Sequence, residues 1–203
     1  MNNLVLFGDS FTSDIDIEYV ETYKNYGDYH WGEIVAETYD LNLINLGIGS
    51  FSNDRIFDRI IENFSIIKED DVVIIGKTFY NRFDIPNKNY ISKDVSLRFT
   101  TITPQSQPQN FGFTLEEAKA ITLFSTIMDD QDFIDRANLR YEFIKDFLYL
   151  KKIKSCTFWE VENLWEKFED IKTATNNKIN DLHWSYKGHK DFANYILNRL
   201  NNE

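Results

Sequence analysis

Serine, histidine and aspartate, the side chains of an activated-nucleophile site, occur in two short segments of this sequence. Ser10 follows the apolar run Leu4–Phe7 and the dipeptide Gly8-Asp9, a pattern typical of a buried strand that ends in a tight turn. Asp181 and His183 stand two residues apart, far along the chain. A serine hydroxyl is a poor nucleophile until a base takes its proton. The sequence therefore predicts that these two segments meet.

The three histidines of the sequence differ in their expected roles. His30 begins a predicted amphipathic helix, where a packing or surface position is expected. His189 lies in the first turn of the last predicted helix, where a structural role is expected. His183 lies in the loop before that helix, and residues i and i+2 of an extended segment point to the same side. We therefore expect Asp181 to bond one nitrogen of His183 while the other faces Ser10.

Strands and helices alternate through the first 76 residues. Hydrophobic spacing predicts strands over 4–7, 41–46 and 72–76 and helices near 29–39 and 53–64, the second capped by Ser52. This alternation implies an α/β fold with parallel strands and right-handed crossovers. Ligands of such sheets bind beyond the carboxyl ends of the strands. Ser10, the Gly49-Ser50 turn and the segment after Gly76 all fall at those ends.

The rest of the chain completes this pattern after one long interruption. Residues 84–113 hold all three prolines, and the alternation of Val95, Leu97 and Phe99 suggests one exposed strand or hairpin arm. This stretch is interpreted as a lid, a specificity loop or an oligomer contact. Helices are expected over 114–127 and 130–150, a strand over 153–158, a short helix over 159–168 and a last helix from the Ser185 cap to about residue 200. Residues 1–203 are predicted to form a single domain with the insertion at 84–113.

Composition excludes several classes of function. The formal net charge of −11 argues against a general nucleic-acid binder and against adhesion to anionic membranes. Cys156 is the sole cysteine, so an intrachain disulfide and a cysteine zinc cluster are impossible, and a buried structural thiol is expected. No apolar run has the length of a membrane span, and no secretory signal is evident. A soluble, cytoplasmic protein is therefore expected.

Four sequence blocks, in order, resemble the SGNH (GDSL-type) hydrolase superfamily. They are Leu4–Ser10, Asn45–Ser50, Val73–Gly76 with the residues that follow, and Asp181–Trp184 with Gly188-His189. The resemblance implies a flavodoxin-like three-layer α/β/α sandwich around a parallel sheet of four to five strands. It implies that Ser10 is the nucleophile and that Asp181 and His183 complete the triad. The family usually places the aspartate three residues before the histidine, and the Asp-x-His-Trp spacing found here occurs in a subset of its members.

The resemblance also implies an oxyanion hole. The first donor is the Ser10 N–H. Ser50 stands where the second block normally ends in glycine, with Gly49 before it, and a backbone N–H survives that change if the turn is kept. Thr78 stands where the third block normally has asparagine, and Asn81 is the alternative donor from the same loop. No metal ion and no organic cofactor is implied.

The function expected from these residues is a serine esterase or deacylase, acting on a small-molecule ester or as a carbohydrate O-deacetylase. Two alternatives stay open. One is a catalytically weak or inactive SGNH-like domain used for binding or assembly, which the replaced oxyanion positions favour. The other is an O-acyltransferase with the same triad. The sequence leaves the oligomeric state open.

Overall fold

A parallel four-stranded sheet forms the centre of the computed structural model, which describes residues 2–13, 30–87, 98–103, 106–127, 129–153, 155–170, 173 and 183–202. The strands are β1 (Asn3–Phe7), β2 (Asn42–Asn45), β3 (Val72–Lys77) and β6 (Ser155–Glu160), in the order β2-β1-β3-β6. Counted among themselves, they follow the 2-1-3-4 order of flavodoxin-like sheets. Because β1 pairs with both β2 and β3, the residues after Phe7 lie near the middle of the sheet's carboxyl edge.

Helices connect these strands and cover both faces of the sheet. The helices of the described ranges are α1 (Trp31–Thr38), α2 (Asn53–Glu62), α3 (Leu115–Ile127), α4 (Asp130–Leu150), α5 (Val161–Leu164) and α6 (Tyr186–Leu200). Short 3₁₀ turns occupy Phe64–Ile66, Pro108–Phe111 and Trp165–Lys167. The α/β class and the three-layer arrangement predicted from the sequence are therefore confirmed.

Each face of the sheet has its own apolar core, because successive residues of a strand point to opposite faces. The core beneath α1 and α6 contains the buried side chains Leu4, Leu6, Trp31, Val35, Phe192 and Ile196. The core beneath α2 and α4 contains the buried side chains Val5, Phe7, Ile56, Ile60, Tyr141 and Ile144. Cys156 is partly buried and packs against this second core, where full burial was expected.

Side-chain caps fix where several of the helices begin, and three of them lie beside the strands that carry the site. The Ser52 hydroxyl accepts the N–H of Arg55, and the Ser185 hydroxyl accepts the N–H of Gly188, so both predicted N-caps are confirmed. The third cap is His30, whose Nδ1 accepts the N–H of Gly32 at the start of α1.

The 84–113 stretch differs from the prediction. β4 (Phe83–Pro86) pairs antiparallel with β5 (Phe99–Ile102), and most of β5 is buried, where an exposed arm over 95–99 was expected. Val95 and Leu97 lie outside the described residues. Phe83 and Ile102 pack with Ile121 of α3 and Phe133 of α4, which explains the burial of the hairpin. The helix after β6, α5, is shorter than expected, because Trp159 still belongs to the strand. The Trp159 side chain is buried in the core.

None of the helices in the described ranges combines the length and apolar character that a membrane crossing requires.

Candidate active site

The turn after β1 holds Ser10. The Asp9 carbonyl accepts the N–H groups of Thr12 (2.9 Å) and Ser13 (2.8 Å), and the Asp9 carboxylate accepts the N–H of Phe11 (3.1 Å). The chain therefore reverses within four residues of the strand end. Ser10 is partly buried at the start of this reversal, as the sequence predicts.

Glycines allow this turn to pack directly on the sheet. A Cβ at Gly8 would overlap the Thr12 side chain, and a Cβ at Gly76 would lie 2.9 Å from Thr12 Oγ1 and 2.7 Å from Trp159 Cζ2. Thr12 is fully buried, and its hydroxyl has no hydrogen-bond partner among the described residues. The two glycines thus leave the space in which the nucleophile turn sits.

The turn after β2 lies against the Ser10 turn. Asn45 donates its side-chain N–H to the Thr12 carbonyl (2.7 Å), and Ile48 donates its N–H to the Gly8 carbonyl (3.0 Å). A Cβ built on Gly49 would lie 3.8 Å from the Ser10 Cβ, which places these two residues side by side. The structure therefore brings the first and second sequence blocks together.

Ser50 has the backbone conformation that glycine favours. Its φ of 64° lies in the left-handed region, and the N–H of Phe51 closes the turn on the Ile48 carbonyl. The turn expected of a glycine is thus kept with serine. Within the described part of the chain, the N–H groups of Ser10, Gly49 and Ser50 donate to no protein acceptor.

The position of Thr78 differs from the expectation that it serves as an oxyanion donor. Its hydroxyl lies 2.6 Å from Asp9 Oδ2 and its backbone N–H donates to Asn53 Oδ1 (2.9 Å), so both donors are already used. Asn53 also donates to the Thr78 carbonyl (3.0 Å), and the Thr78 side chain is buried. Asn81 lies in the turn between β3 and β4 and is partly buried.

His183 lies beside the nucleophile turn. Its ring centroid is 5.0 Å from that of Phe11, the residue after Ser10, and Phe11 is also 5.0 Å from Trp184. Trp184 Nε1 donates to the Trp165 carbonyl (3.0 Å), which fixes the segment that carries His183. The structure therefore brings His183 and the Ser10 turn together. Asp181 lies outside the described residues.

The other two histidines, His30 and His189, are buried close to His183 and the Ser10 turn. The rings of His30 and His189 are 5.3 Å apart, and His189 Nδ1 accepts the N–H of Trp31 (3.4 Å). Burial lowers the pKa of His30 to about 4, partly offset by the Phe11 carbonyl. Burial also holds the pKa of His189 well below its usual value, and the charges of His30 and His183 lower it further. The packing role expected for His30 is confirmed, as is the structural role of His189.

Two functional candidates were missed by sequence reasoning. Asp9 is a fully buried carboxylate, and Arg82 Nη1 lies 3.1 Å from its Oδ2. The available signal was the position of Asp9 directly after a fully buried strand, because a buried carboxylate requires a partner. Nothing local in the sequence identifies that partner as Arg82.

A metal site is not formed by the part of the chain that the structure describes: no group of three or more His, Cys, Asp or Glu side chains there has a suitable arrangement.

Among the comparisons with known proteins, the one with solved structures gives a match. No protein-family model matches the chain, and no curated protein matches it. A solved structure of a protein assigned to the G-D-S-L lipolytic family, from Desulfitobacterium hafniense DCB-2, is similar with 15% sequence identity and a TM-score of 0.38. The similarity covers 98% of this chain and 99% of that chain.

Proposed function

We propose that this protein is a serine ester hydrolase in which Ser10 is the nucleophile and His183 the base. The observation that carries the proposal is the position of the His183 ring, 5.0 Å from the Phe11 ring and so beside the residue that follows Ser10. Acyl transfer through a serine requires an imidazole within hydrogen-bond reach of its hydroxyl, and the His183 ring beside the Ser10 turn supports that role. Asp181 is proposed, from its spacing in the sequence, to orient the imidazole.

The proposed reaction has two halves. Ser10 Oγ attacks the ester carbonyl carbon while its proton passes to His183, and a tetrahedral oxyanion forms. The bond to the alcohol oxygen then breaks, and the alcohol leaves with the proton from His183. Water attacks the acyl-serine in the same way, with His183 first accepting and then returning a proton, and the acid leaves.

The oxyanion is proposed to be bound by backbone donors. The N–H groups of Ser10, Gly49 and Ser50 support this assignment because Gly49 lies beside Ser10 and because none of the three donates to an acceptor in the described part of the chain. Asn81 is kept as a further candidate donor. Thr78 is not proposed, because its hydroxyl and N–H are engaged with Asp9 and Asn53. The substrate class is a small-molecule or carbohydrate ester.

A fluorophosphonate probe tests the proposal directly, because it phosphonylates only a serine that a base activates. We expect one adduct, mapped by peptide mass to Ser10 and lost in Ser10→Ala. Hydrolysis of p-nitrophenyl acetate and of an acetylated sugar should fall at least 10³-fold in the same variant, on the order seen when a triad member is removed. Ser13→Ala is a matched control, because Ser13 lies in the same turn and is also partly buried.

A second candidate function is binding without catalysis, and one observation favours it. In the segment after β3, the Thr78 hydroxyl is bonded to Asp9 and is not available to the oxyanion. Losing one oxyanion donor costs about 2.7–4 kcal/mol of transition-state stabilisation. A chain that neither labels nor hydrolyses either ester, while remaining folded, would support this second function and refute the first.

A further inference from the structure

One guanidinium connects the segments that surround Ser10. Arg82 lies in the turn after β3, and its side chain is 14% exposed. Its Nη1 donates to Asp9 Oδ2 (3.1 Å) and to the Phe51 carbonyl (3.2 Å), and its guanidinium carbon lies 5.1 Å from the centre of the Phe79 ring. Asp9 precedes Ser10 and Phe51 follows Ser50. A single side chain thus joins the nucleophile turn to the turn that carries the proposed oxyanion donors.

Asp9 also holds the turn that carries the nucleophile. Its Oδ1 accepts the Phe11 N–H, and its backbone carbonyl accepts two further N–H groups of the same turn. The carboxylate is fully buried, so its charge needs compensation from the groups that reach it, and Arg82 and the Thr78 hydroxyl both reach Oδ2. Among the described residues that contact this carboxylate, only Arg82 brings a positive charge. A change at residue 82 therefore acts on the carboxylate that shapes the turn of Ser10.

We infer that Arg82 is a positioning residue, which sets the spacing between the Ser10 hydroxyl and the N–H groups of Gly49 and Ser50. The inference rests on the proposed function. The Thr78 hydroxyl, which the family resemblance directs at the oxyanion, donates instead to Asp9 Oδ2, the same oxygen that Arg82 contacts. Arg82 acts through Asp9 and Phe51, and no contact with the substrate is required of it.

The chain offers a matched control for a test of Arg82. Lys77 also lies at the carboxyl end of β3, its side chain is also 14% exposed, and it also forms an ion pair, with Glu160 Oε1 at 3.3 Å. Its ammonium lies 4.9 Å from the centre of the Tyr141 ring, much as Arg82 lies over Phe79. Within the described part of the chain, Lys77 forms no hydrogen bond or ion pair with Asp9 or Phe51. Lys77→Met therefore removes an equivalent cation and leaves the contacts of Arg82 with Asp9 and Phe51 in place.

The experiment compares Arg82→Met with Lys77→Met by the rate of fluorophosphonate labelling at Ser10 and by the steady-state hydrolysis of p-nitrophenyl acetate. All measurements are made well below the unfolding temperature of each variant. We expect Arg82→Met to lower the labelling rate and kcat about 10²-fold, the effect of misplacing a reacting group by about 1 Å, with KM nearly unchanged. Lys77→Met should leave the labelling rate and kcat within about twofold, as for a change away from the site. Partial recovery is expected in Arg82→Lys, which restores the charge but not the fork of donors.

The double variant Asp9→Asn/Arg82→Met covers the case in which Arg82→Met does not fold. It removes the buried charge together with its partner, so it is expected to fold and to label as slowly as Arg82→Met. Wild-type labelling rates in Arg82→Met, or in the double variant, would overturn the inference and leave the hydrolase proposal standing. A wild-type chain that does not label at Ser10 would overturn the proposed function and this inference with it.

Discussion

The buried histidine at the start of α1 predicts a specific loss of stability in mild acid. His30 is only 4% exposed, and its Nδ1 serves as the acceptor that caps the helix. A proton on Nδ1 would break the cap and place a charge in the core. This explains why the pKa of His30 is lowered from 6.5 to about 4 in the folded protein.

The sign and size of the effect follow from linkage. Between pH 6.5 and pH 4 the unfolded chain binds a proton at this residue and the folded chain does not, so folding becomes less favourable as the pH falls. Each pH unit costs up to about 1.36 kcal/mol, so His30 alone removes about 2 kcal/mol between pH 7.5 and pH 5 and about 3 kcal/mol by pH 4. Above pH 6.5 its contribution is constant.

Urea unfolding at pH 7.5 and pH 5.0 measures this loss in the wild type and in His30→Asn. Asparagine is a good N-cap whose carbonyl can accept the Gly32 N–H, and it does not titrate. The variant loses ring packing at both pH values, so the diagnostic quantity is the change in unfolding free energy between them. That change should be about 2 kcal/mol smaller in the variant than in the wild type. An equal pH dependence in both proteins would refute the assignment to His30.

Three further substitutions test the packing at the carboxyl edge of the sheet around Ser10. Thr78→Val removes one partner of the buried Asp9 carboxylate and should lower the unfolding free energy by about 1–3 kcal/mol; a neutral result in urea would contradict the importance of that bond. Ser50→Gly relieves a left-handed serine and should raise stability by up to about 1 kcal/mol while keeping the Ser10 labelling rate, and a clear loss of stability would argue against the turn described. Gly76→Ala puts a Cβ 2.7 Å from Trp159 Cζ2 and should destabilise by about 1–3 kcal/mol on thermal unfolding, whereas unchanged stability would mean that the ring moves freely.

The elements that the sequence predicts well depend on short-range signals. The apolar run of β1, the serine caps of α2 and α6 and the helical spacing of Phe133, Tyr141 and Leu148 in α4 each act within a few residues, so they can be recognised without the fold. Parallel pairing then follows from the alternation of strands and helices. The convergence of Ser10 and Gly49 at one edge is a consequence of that pairing.

The features that the sequence does not predict depend on which partner a side chain finds. Thr78 and Asp9 are 69 residues apart, and no pattern near either one shows that they share a hydrogen bond. Arg82 meets Asp9 in the same way, through folding of β3 beside β1. A strand or hairpin arm is suggested by the sequence of this stretch, but its burial is not, because that burial comes from packing against α3 and α4, which follow it in the chain.

The position of α6 in the chain has a consequence for synthesis. Ser10, its turn and its neighbour Gly49 are synthesised well before His183 and Phe192. A nascent chain can pair β1, β2 and β3 and cover part of the face with Leu4 and Leu6 by α1, while the part that α6 covers is still exposed. The step that brings His183 to the Ser10 turn is therefore the same step that completes the cover of this face. A nascent chain that lacks α6 therefore carries the serine without the base and exposes the apolar side chains that α6 buries.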